Sequence, residues 1–376
     1  MAAFDPVPHF PATYAEARER FLTAARARGF AVERHLHPTA RGADGEALSC
    51  DVAAVGPAEA CAVLLLTSAT HGVEGFCGSG CQVGLLHDDA LLADIAAAGA
   101  RVVLLHALNP HGFSHLRRTN EDNVDLNRNF RGFEPRPLPN HAYAGVHGFL
   151  VPSTWPPSQD DDAQMGAYVQ AHGERALQAA VSGGQSEFPD GLFYAGVAPA
   201  WSNRVLRSVL RAHARAAATL GWIDFHTGLG PRGHGEKIYA GRAVAADVAR
   251  AKAWWGADVT SFHDGTSTSA PLTGVTYNAA YEECPRAAYA GIALEYGTLP
   301  FRAVLAALRA DQWLANHPDA PAAQRREIKR AIRDAFYQDA DDWKAAVYLQ
   351  ARDAVRAALA GLRHQHDELA GASVPR

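Results

Sequence analysis

Several features are missing from the sequence, and each absence narrows what the protein can be. No block of Lys and Arg stands out and the formal net charge is −5, so neither nucleic acid nor an acidic membrane surface is an expected partner. No run approaches the roughly 18 consecutive apolar residues of a membrane-spanning helix. The first residues also lack the basic and apolar segments of a secretory signal, and we therefore expect a cytoplasmic protein.

A disulfide framework is missing as well. The five cysteines are an odd number without regular spacing, and Cys77 and Cys81 lie four residues apart, on one face of a predicted helix. We interpret the cysteines as small core residues in a reducing compartment, with metal ligation as the alternative.

Internal repeats and linkers rich in Gly, Ser or Pro are also missing from the 376 residues. A hydrophobic content of 48% and a charged content of 20% are typical of a globular protein. Apolar strands alternate with helices, which predicts an α/β fold with a mixed, largely parallel β-sheet flanked by helices. We expect a single domain over residues 1–376, with a core over about 48–315 and a C-terminal helical layer over about 301–362.

The sequence does contain polar residues at the ends of predicted strands, and the first pair is His71 and Glu74. The apolar run Ala62–Thr67 predicts a buried strand, and the short turn after it holds both residues, three positions apart. Open α/β sheets bind ligands at the carboxyl ends of their strands, so the imidazole and the carboxylate can converge there. Such a pair suits zinc. The alternative is a solvated loop histidine beside a glutamate that the helix dipole favours.

A later strand also ends in a group suited to metal chemistry. The run Gly221–Gly228 predicts a short strand with Asp224 and His226, after a helix predicted over Asn203–Leu220. His226 would complete a set of two imidazoles and one carboxylate that leaves a fourth position for water, and Asp224 could orient its ring. The alternative for His226 is a core histidine whose hydrogen bonds are satisfied.

Glu295 closes a predicted strand of small and apolar residues, Ala290–Gly297. A carboxylate there is costly unless it is paired or takes part in chemistry. Beside a metal site it could take a proton from the attacking water and pass it to the leaving nitrogen. The alternative is a structural glutamate held by a salt bridge.

A long segment without periodicity, from Asn109 to about Pro157, supplies the remaining candidates. Its stretch Arg117–Phe130 concentrates three arginines and several amides in fourteen residues. Arg binds a carboxylate through two parallel hydrogen bonds and Asn adds a neutral donor, so this stretch predicts a carboxylate-binding loop. The alternative is a solvated loop, which would hardly need anchoring residues such as Leu126 and Phe130.

Taken in order along the chain, these residues resemble the zinc carboxypeptidase family. The motifs that carry the resemblance are His71-x-x-Glu74, Asn109-Pro110-x-Gly112, Arg118, Asp125-x-Asn127-Arg128-Asn129, His226 and Glu295. Within that family, Thr70–Gly75, Gly191–Tyr194 and Trp201–Arg204 are similar to a bacterial branch described only as a domain of unknown function.

The resemblance implies a fold and a metal site. The fold would be the mixed sheet of the zinc carboxypeptidases, with one Zn²⁺ per chain. His71, Glu74 and His226 would be the zinc ligands, and Glu295 would be the general base.

The resemblance also implies how a substrate is held. Arg118 would polarise the scissile carbonyl, and Asn127 with Arg128 would bind a substrate carboxylate. Tyr277 is a candidate for the flexible pocket tyrosine of the family, and the insertion Pro135–Pro157 would reshape the pocket.

The activity implied by the resemblance is hydrolysis of an amide bond next to a free carboxylate, with carboxypeptidase action on short peptides favoured. The context of His226, Asp-x-His-Thr, is more similar to the succinylglutamate desuccinylase and aspartoacylase branch, which implies an N-acyl amino acid deacylase as the alternative. A further alternative is a non-catalytic module that binds a metal or a carboxylate, although all expected catalytic positions are filled.

Overall fold

Seven strands form one mixed sheet in the structure, a computed structural model that describes residues 4–134 and 140–372, with side chains described up to residue 365. The strands are β1 (Ala31–Arg41), β2 (Ala47–Val55), β3 (Ala62–Thr67), β4 (Arg101–His106), β5 (Thr219–Arg232), β6 (Gly235–Tyr239) and β7 (Ala288–Gly297). The helices are α1 (Tyr14–Ala27), α2 (Gly75–His87), α3 (Asp89–Ala98), α4 (Pro110–Ser114), α5 (His141–Ala144), α6 (His147–Leu150), α7 (Gln159–His172), α8 (Glu174–Ser182), α9 (Trp201–His213), α10 (Ala245–Trp255), α11 (Asn278–Glu283), α12 (Phe301–Asn316), α13 (Ala322–Phe336) and α14 (Asp341–Ala372). Short 3-10 segments lie at Val7–His9, Gly72–Glu74 and Leu126–Arg128. Of the predicted insertion Pro135–Pro157, residues 135–139 lie outside the described ranges.

The strand order places four parallel strands at the centre of the sheet. The order is β1-β2-β4-β3-β5-β7-β6, in which β4, β3, β5 and β7 run parallel. The pairs β1–β2, β2–β4 and β6–β7 are antiparallel. The predicted fold class, a single α/β domain with a mixed and largely parallel sheet, is therefore confirmed. The segments that follow the four parallel strands meet at one edge of the sheet.

The register of the central strands brings polar residues side by side. His226 of β5 pairs with Glu295 of β7, and Asp224 pairs with Thr67 at the end of β3. Side chains alternate between the two faces of a sheet, so Asp224, His226 and Glu295 share one face. The sheet thus carries three candidate site residues on adjacent strands.

The helix before β5 is shorter than the sequence predicts. α9 ends at His213, and Thr219 already pairs with β3 and β7 as the first residue of β5. Leu210, Ala217 and Leu220 keep a helical spacing, which explains the longer prediction. However, Ala217 reaches the same core from the connection before β5, and Leu220 reaches it from within β5. Parallel pairing on both sides of β5 therefore overrides the helical pattern. The strand also continues past His226 to Arg232, beyond its predicted end.

Helices cover both faces of the sheet. One hydrophobic core packs α1, α2, α10 and α14 against the face that carries Leu66 and Ile292. A second core packs α9 and α11 against the face that carries Leu65 and Trp222. A third core joins α5, α6, α8, α12 and α13, and it includes Val73 from the turn after β3. The third core therefore lies beside the edge where the parallel strands end.

Three helices, α12, α13 and α14, follow the last strand of the sheet. The first two pack against each other in the third core, whereas α14 packs against α2, α3 and α10 on a face of the sheet. The residues from 301 onward thus contribute to two packing regions. Although α14 is 32 residues long, no helix within the described ranges is long and apolar enough to cross a membrane.

Candidate functional site

The turns that follow β3 and β4 approach each other so closely that only glycine fits at their contact. A Cβ on Gly72 would lie 2.3 Å from Gly112 Cα. Gly72 N–H also donates to the carbonyl oxygen of Arg118 at 3.1 Å. The contact brings His71 and Glu74, which flank this point, beside the arginine-rich loop.

Three candidate metal ligands converge at the edge of the sheet. His71 Nδ1 lies 2.8 Å from Glu74 Oε1 and 3.3 Å from His226 Nδ1. His226 Nδ1 lies 3.0 Å from Glu74 Oε2, and all three side chains are buried. Within the residues that the structure describes, this is the one group of three or more His, Cys, Asp or Glu side chains able to hold a metal ion.

The separations between these atoms suit a bound ion. Zinc lies about 2.0–2.2 Å from nitrogen and oxygen ligands, which places two donors of a tetrahedral ion about 3.3 Å apart. The two imidazole nitrogens are 3.3 Å apart. Each of them lies slightly nearer to one carboxylate oxygen of Glu74, at 2.8 Å for His71 and 3.0 Å for His226. The donor set and its spacing therefore fit a metal site with two imidazoles and one carboxylate.

A carboxylate lies on the other side of each imidazole. Asp224 Oδ2 lies 2.9 Å from His226 Nε2, and Asp125 Oδ1 lies 3.3 Å from His71 Nε2. An imidazole that donates Nε2–H to a carboxylate keeps its Nδ1 lone pair for a metal. Asp224 is thus the acceptor that the metal-binding tautomer of His226 requires, whereas His71 Nε2 lies nearer to the donor Arg118 Nη2, at 2.7 Å.

The charges around the ligands favour a cation between them. Burial alone raises the pKa of Glu74, but the facing imidazoles of His71 and His226 lower it well below its usual range. For His226, burial lowers the pKa, and the carboxylates of Asp224 and Glu74 raise it well above its usual value. Glu74 Oε2 also accepts the N–H of Thr227 at 3.1 Å, which fixes the carboxylate. The site therefore stabilises positive charge where the ligand atoms meet.

Glu295 borders the same cavity as His226. Its Oε1 accepts the N–H of Leu229 at 3.0 Å, and its Oε2 makes no hydrogen bond to any residue that the structure describes. Burial, and then the negative charge of Glu74, raises the pKa of Glu295 to about 8. A carboxylate with one fixed oxygen and one open oxygen suits proton transfer.

Arg118 contacts two of the candidate ligands directly. Its Nε donates to Asp125 Oδ2 at 2.9 Å, its Nη1 lies 3.4 Å from Glu74 Oε1, and its Nη2 lies 2.7 Å from His71 Nε2. Each terminal nitrogen carries two N–H groups, so each retains one more donor. The guanidinium can therefore donate to an oxygen atom in the cavity.

Arg128 is buried, and one edge of its guanidinium group faces the cavity. Its Nε and Nη2 donate to the carbonyl oxygen of Ser182 at 2.9 and 2.7 Å, and its Nη1 donates to the carbonyl oxygen of Asn127 at 2.7 Å. Two of its five N–H donors thus have no acceptor among the described residues. Burial lowers the pKa of Arg128 to about 10, so the group stays charged at neutral pH. This edge can receive a carboxylate.

Asn127 lies next to that edge. Its Oδ1 accepts the N–H of Thr276 at 3.0 Å, which fixes the amide plane. The amide nitrogen makes no hydrogen bond within the described part of the chain and borders the cavity, so it can add a neutral donor.

One cavity of about 120 Å³ is bordered by every residue that the sequence predicts for the site. These residues are His71, Glu74, Arg118, Asn127, Arg128, His226 and Glu295. Side chains from separate loops and strands thus share one small volume, while the roles assigned to them stay predictions.

The rest of the cavity wall is largely apolar, and most of it comes from two of the cores. The second core contributes Trp222, Phe262, Val275, Tyr277 and Tyr289. The third core contributes Val181, Val304, Leu305, Leu308 and Phe336. Burial raises the pKa of the Tyr277 hydroxyl, so this candidate pocket tyrosine stays neutral.

Sequence reasoning assigns no role to Asp125 or Phe193, although both contact predicted site residues. Asp125 accepts hydrogen bonds from the arginine-rich loop and lies beside the candidate ligand His71, and its place in the Asp-x-Asn-Arg motif is a usable signal. The ring of Phe193 lies 4.7 Å from Arg118 Cζ and 5.5 Å from Arg128 Cζ. Nothing in the local sequence indicates that contact.

We expect His226→Ala to lose bound metal, because it removes one of three protein ligands. Elemental analysis after dialysis against metal-free buffer measures the effect. The matched control is His106→Ala, since His106 is buried at the end of β4 and lies outside the cavity. Undiminished metal in His226→Ala would exclude His226 as a ligand.

We expect Asp224→Asn to weaken metal binding about 10- to 100-fold, because the uncharged amide supports the imidazolium-like charge distribution of a bound His226 less well. Competition with a chelator of known affinity measures the change. Asp51→Asn is the control, since Asp51 is a buried carboxylate that pairs with Arg18 away from the site. Equal affinities for wild type and Asp224→Asn would contradict the orienting role.

Comparisons with known proteins give a family and several similarities of fold. Residues 10–350 match the family described as "Protein of unknown function (DUF2817)". A comparison with curated proteins returns no match. Solved structures with a similar fold include a carboxypeptidase A from Helicoverpa armigera, at 14% identity and a TM-score of 0.45 over 85% of this chain and 73% of that one. They also include bovine thrombin-activatable fibrinolysis inhibitor in complex with tick carboxypeptidase inhibitor, at 11% identity and a TM-score of 0.47 over 92% of this chain and 96% of that one. A metallo-carboxypeptidase from Burkholderia cenocepacia has 11% identity and a TM-score of 0.39 over 91% of this chain and 70% of that one.

Proposed function

The chain belongs to the DUF2817 family, the branch of unknown function that its motifs predict, and from its site we propose a zinc-dependent hydrolase of amide bonds next to a free carboxylate. The favoured activity is carboxypeptidase action on short peptides. One observation carries the proposal: three candidate metal ligands, an open carboxylate and a charged guanidinium edge border the same small cavity.

His71, Glu74 and His226 would hold the zinc ion, with Asp224 orienting the imidazole of His226. When bound, zinc supplies a Lewis acid that polarises a carbonyl group and makes water more acidic. The remaining chemistry falls to the side chains of the chain itself.

Glu295 would move the proton. Its open Oε2 takes a proton from the attacking water, whose oxygen bonds to the carbonyl carbon. As the C–N bond breaks, the same carboxyl group gives that proton to the leaving nitrogen, and the products are a carboxylic acid and an amine. The hydrogen bond from Leu229 N–H to Oε1 keeps the carboxylate in one orientation during both transfers.

The arginines would select the bond that is cut. The free edge of Arg128 and the amide nitrogen of Asn127 bind the substrate carboxylate through charge-assisted hydrogen bonds. A remaining N–H of Arg118 donates to the carbonyl oxygen, where negative charge develops during the reaction. The distance between the two guanidinium groups then restricts cleavage to the amide bond next to the carboxylate.

A second candidate activity is deacylation of N-acyl amino acids. The charged side chains that border the cavity, within the described residues, are those of the predicted site together with Asp224. No further acidic group is therefore present there to receive the amino terminus of a peptide. The apolar wall from the third core, including Val304 and Leu308, would accept an acyl chain instead.

The zinc-loaded protein tests both activities on a matched panel. The panel pairs free-amine dipeptides with N-acyl amino acids that share the same C-terminal residue, each as the free carboxylate and as the amide. We expect hydrolysis of carboxylate substrates only, and the ratio of peptide to acyl turnover separates the two candidates. Inertness towards the whole panel would favour the non-catalytic module, and indifference to the carboxylate would contradict the role of Arg128.

A further inference from the structure

Phe193 lies against both arginines of the site. Its ring centroid is 4.7 Å from Arg118 Cζ and 5.5 Å from Arg128 Cζ, and both distances are within the range of cation–π contacts. The side chain is buried and borders the cavity. A single aromatic ring thus contacts the two cationic groups of the site.

The backbone at Phe193 has a conformation that residues other than glycine rarely adopt, with a φ of +50°. Hydrogen bonds on both sides impose it. Gln185 N–H donates to the Phe193 carbonyl oxygen at 3.2 Å, and Ala195 N–H donates to the Gln185 carbonyl oxygen at 2.8 Å. Asp125 N–H donates to the carbonyl oxygen of Tyr194 at 2.7 Å. Such enforced conformations occur preferentially at functional sites.

The segment around Gln185 also encloses Arg128 from another side. The Ser182 carbonyl oxygen accepts two of its hydrogen bonds, and a Cβ on Gly184 would lie 2.8 Å from Arg128 Cδ. Because Gln185 is hydrogen-bonded to Phe193, the segment that encloses Arg128 and the aromatic ring that contacts it are held together. We call Ser182, Gly184, Gln185 and Phe193 the arginine clamp.

The electrostatics explain why an aromatic ring is useful at this position. The guanidinium groups of buried Arg128 and partly buried Arg118 repel each other. Burial lowers the pKa of Arg128, the carboxylate of Asp125 raises it, and the like charge of Arg118 adds to the lowering. The π face of an aromatic ring carries partial negative charge, so it offsets that repulsion without forming an ion pair. A carboxylate in the same place would neutralise the arginines and compete with the substrate.

We propose that Phe193 is a positioning residue that fixes the guanidinium groups of Arg118 and Arg128 relative to each other. This sets the distance between the bound carboxylate and the amide bond that is cut. The inference rests on the proposed function, because it assigns a purpose to the spacing of the two arginines. Phe193 would act on the substrate through the two arginines.

Binding and kinetics of three variants test the proposal. The probes are L-phenylalanine and its amide, titrated calorimetrically into the zinc-loaded protein. Phe193→Leu keeps an apolar side chain but removes the ring, and we expect it to bind L-phenylalanine about 3- to 30-fold more weakly, the range of a partly desolvated cation–π contact. We expect little change for the amide. Phe193→Tyr keeps the aromatic ring, so we expect it to keep the preference for the carboxylate.

Phe188→Leu is the matched control. Phe188 lies in the same segment and stacks on His147 at 4.1 Å, whereas the ring that the guanidinium groups of Arg118 and Arg128 contact is that of Phe193. We expect its preference for the carboxylate ligand to equal that of the wild type. In turnover, Phe193→Leu should lower the ratio of kcat/KM for carboxylate over amide substrates, whereas Phe188→Leu should not.

Three outcomes would overturn the proposal: equal weakening of both ligands in Phe193→Leu, the same loss in Phe188→Leu, or a wild type without preference for the carboxylate. Phe193→Met replaces Phe193→Leu if thermal unfolding shows that the leucine variant is not folded. A wild type that prefers the carboxylate ligand but hydrolyses no substrate would refute the proposed activity. In that case a loss of preference confined to the Phe193 variants would still support the positioning role.

Discussion

The variant Glu295→Gln should keep its zinc and its fold and lose about two to four orders of magnitude in turnover. Glutamine has nearly the same shape and can still accept the N–H of Leu229 through its oxygen. It cannot take a proton from water at the other position, because an amide nitrogen replaces the open oxygen. The measurements are kcat on the best substrate of the wild type, zinc content and substrate affinity.

Glu236→Gln is the matched control for this experiment. Glu236 is a buried glutamate on β6 that pairs with Glu295 in the antiparallel register, and it does not border the cavity. Its turnover should equal that of the wild type. Loss of metal in Glu295→Gln would make Glu295 a ligand, and near-normal turnover would refute the hydrolytic mechanism.

The second large effect is expected at Arg128. Converting the substrate carboxylate to an amide should cost as much as Arg128→Ala, because each change removes one partner of the same buried, charge-assisted pair. Loss of such a pair is worth about 2–5 kcal/mol in kcat/KM. The two changes together should cost little more than either alone, because the interaction can be lost only once.

The control for the comparison of Arg128→Ala with the amide substrate is Arg131→Ala. Arg131 donates to the Gly196 carbonyl oxygen close to the same loop but does not border the cavity. Its variant should keep the full preference for carboxylate substrates. Full additivity of Arg128→Ala and the amide substrate would place the carboxylate elsewhere in the cavity.

The sequence predicts the convergence of the site better than its internal contacts. His71, Glu74, His226 and Glu295 lie at the ends of apolar strands, and parallel strands bring such ends together whatever their separation along the chain. The observed pairing of His226 with Glu295 follows from that rule. The chemical roles of these residues stay predictions that the variants above test.

The arginine clamp shows what local patterns leave out. The carbonyl oxygen that accepts from Arg128 belongs to Ser182, 54 residues further along the chain. The contact of Phe193 with two guanidinium groups depends on a positive φ at this residue. A phenylalanine in a sequence does not predict such a φ. Both features arise from long-range hydrogen bonds, so they could be recognised only in three dimensions.

The apolar wall that the third core contributes to the cavity also could not be predicted, and the reason is a different one. Val304, Leu305 and Leu308 are spaced as in any amphipathic helix, and α12 uses the same stripe to pack in the third core. A helical pattern indicates which face is apolar but not whether that face meets another helix or an open volume. The shape of the pocket is therefore a property of packing.

The parallel pairing of β3 with β5 has a consequence for folding as well as for chemistry. It brings together His71 and His226, which are 155 residues apart, so the candidate metal site cannot form before this long loop closes. An ion that binds only the closed chain adds its binding free energy to the stability of the fold. The bound metal would then stabilise the pairing of β3 with β5, and the folded fraction of the protein would increase with the concentration of free metal.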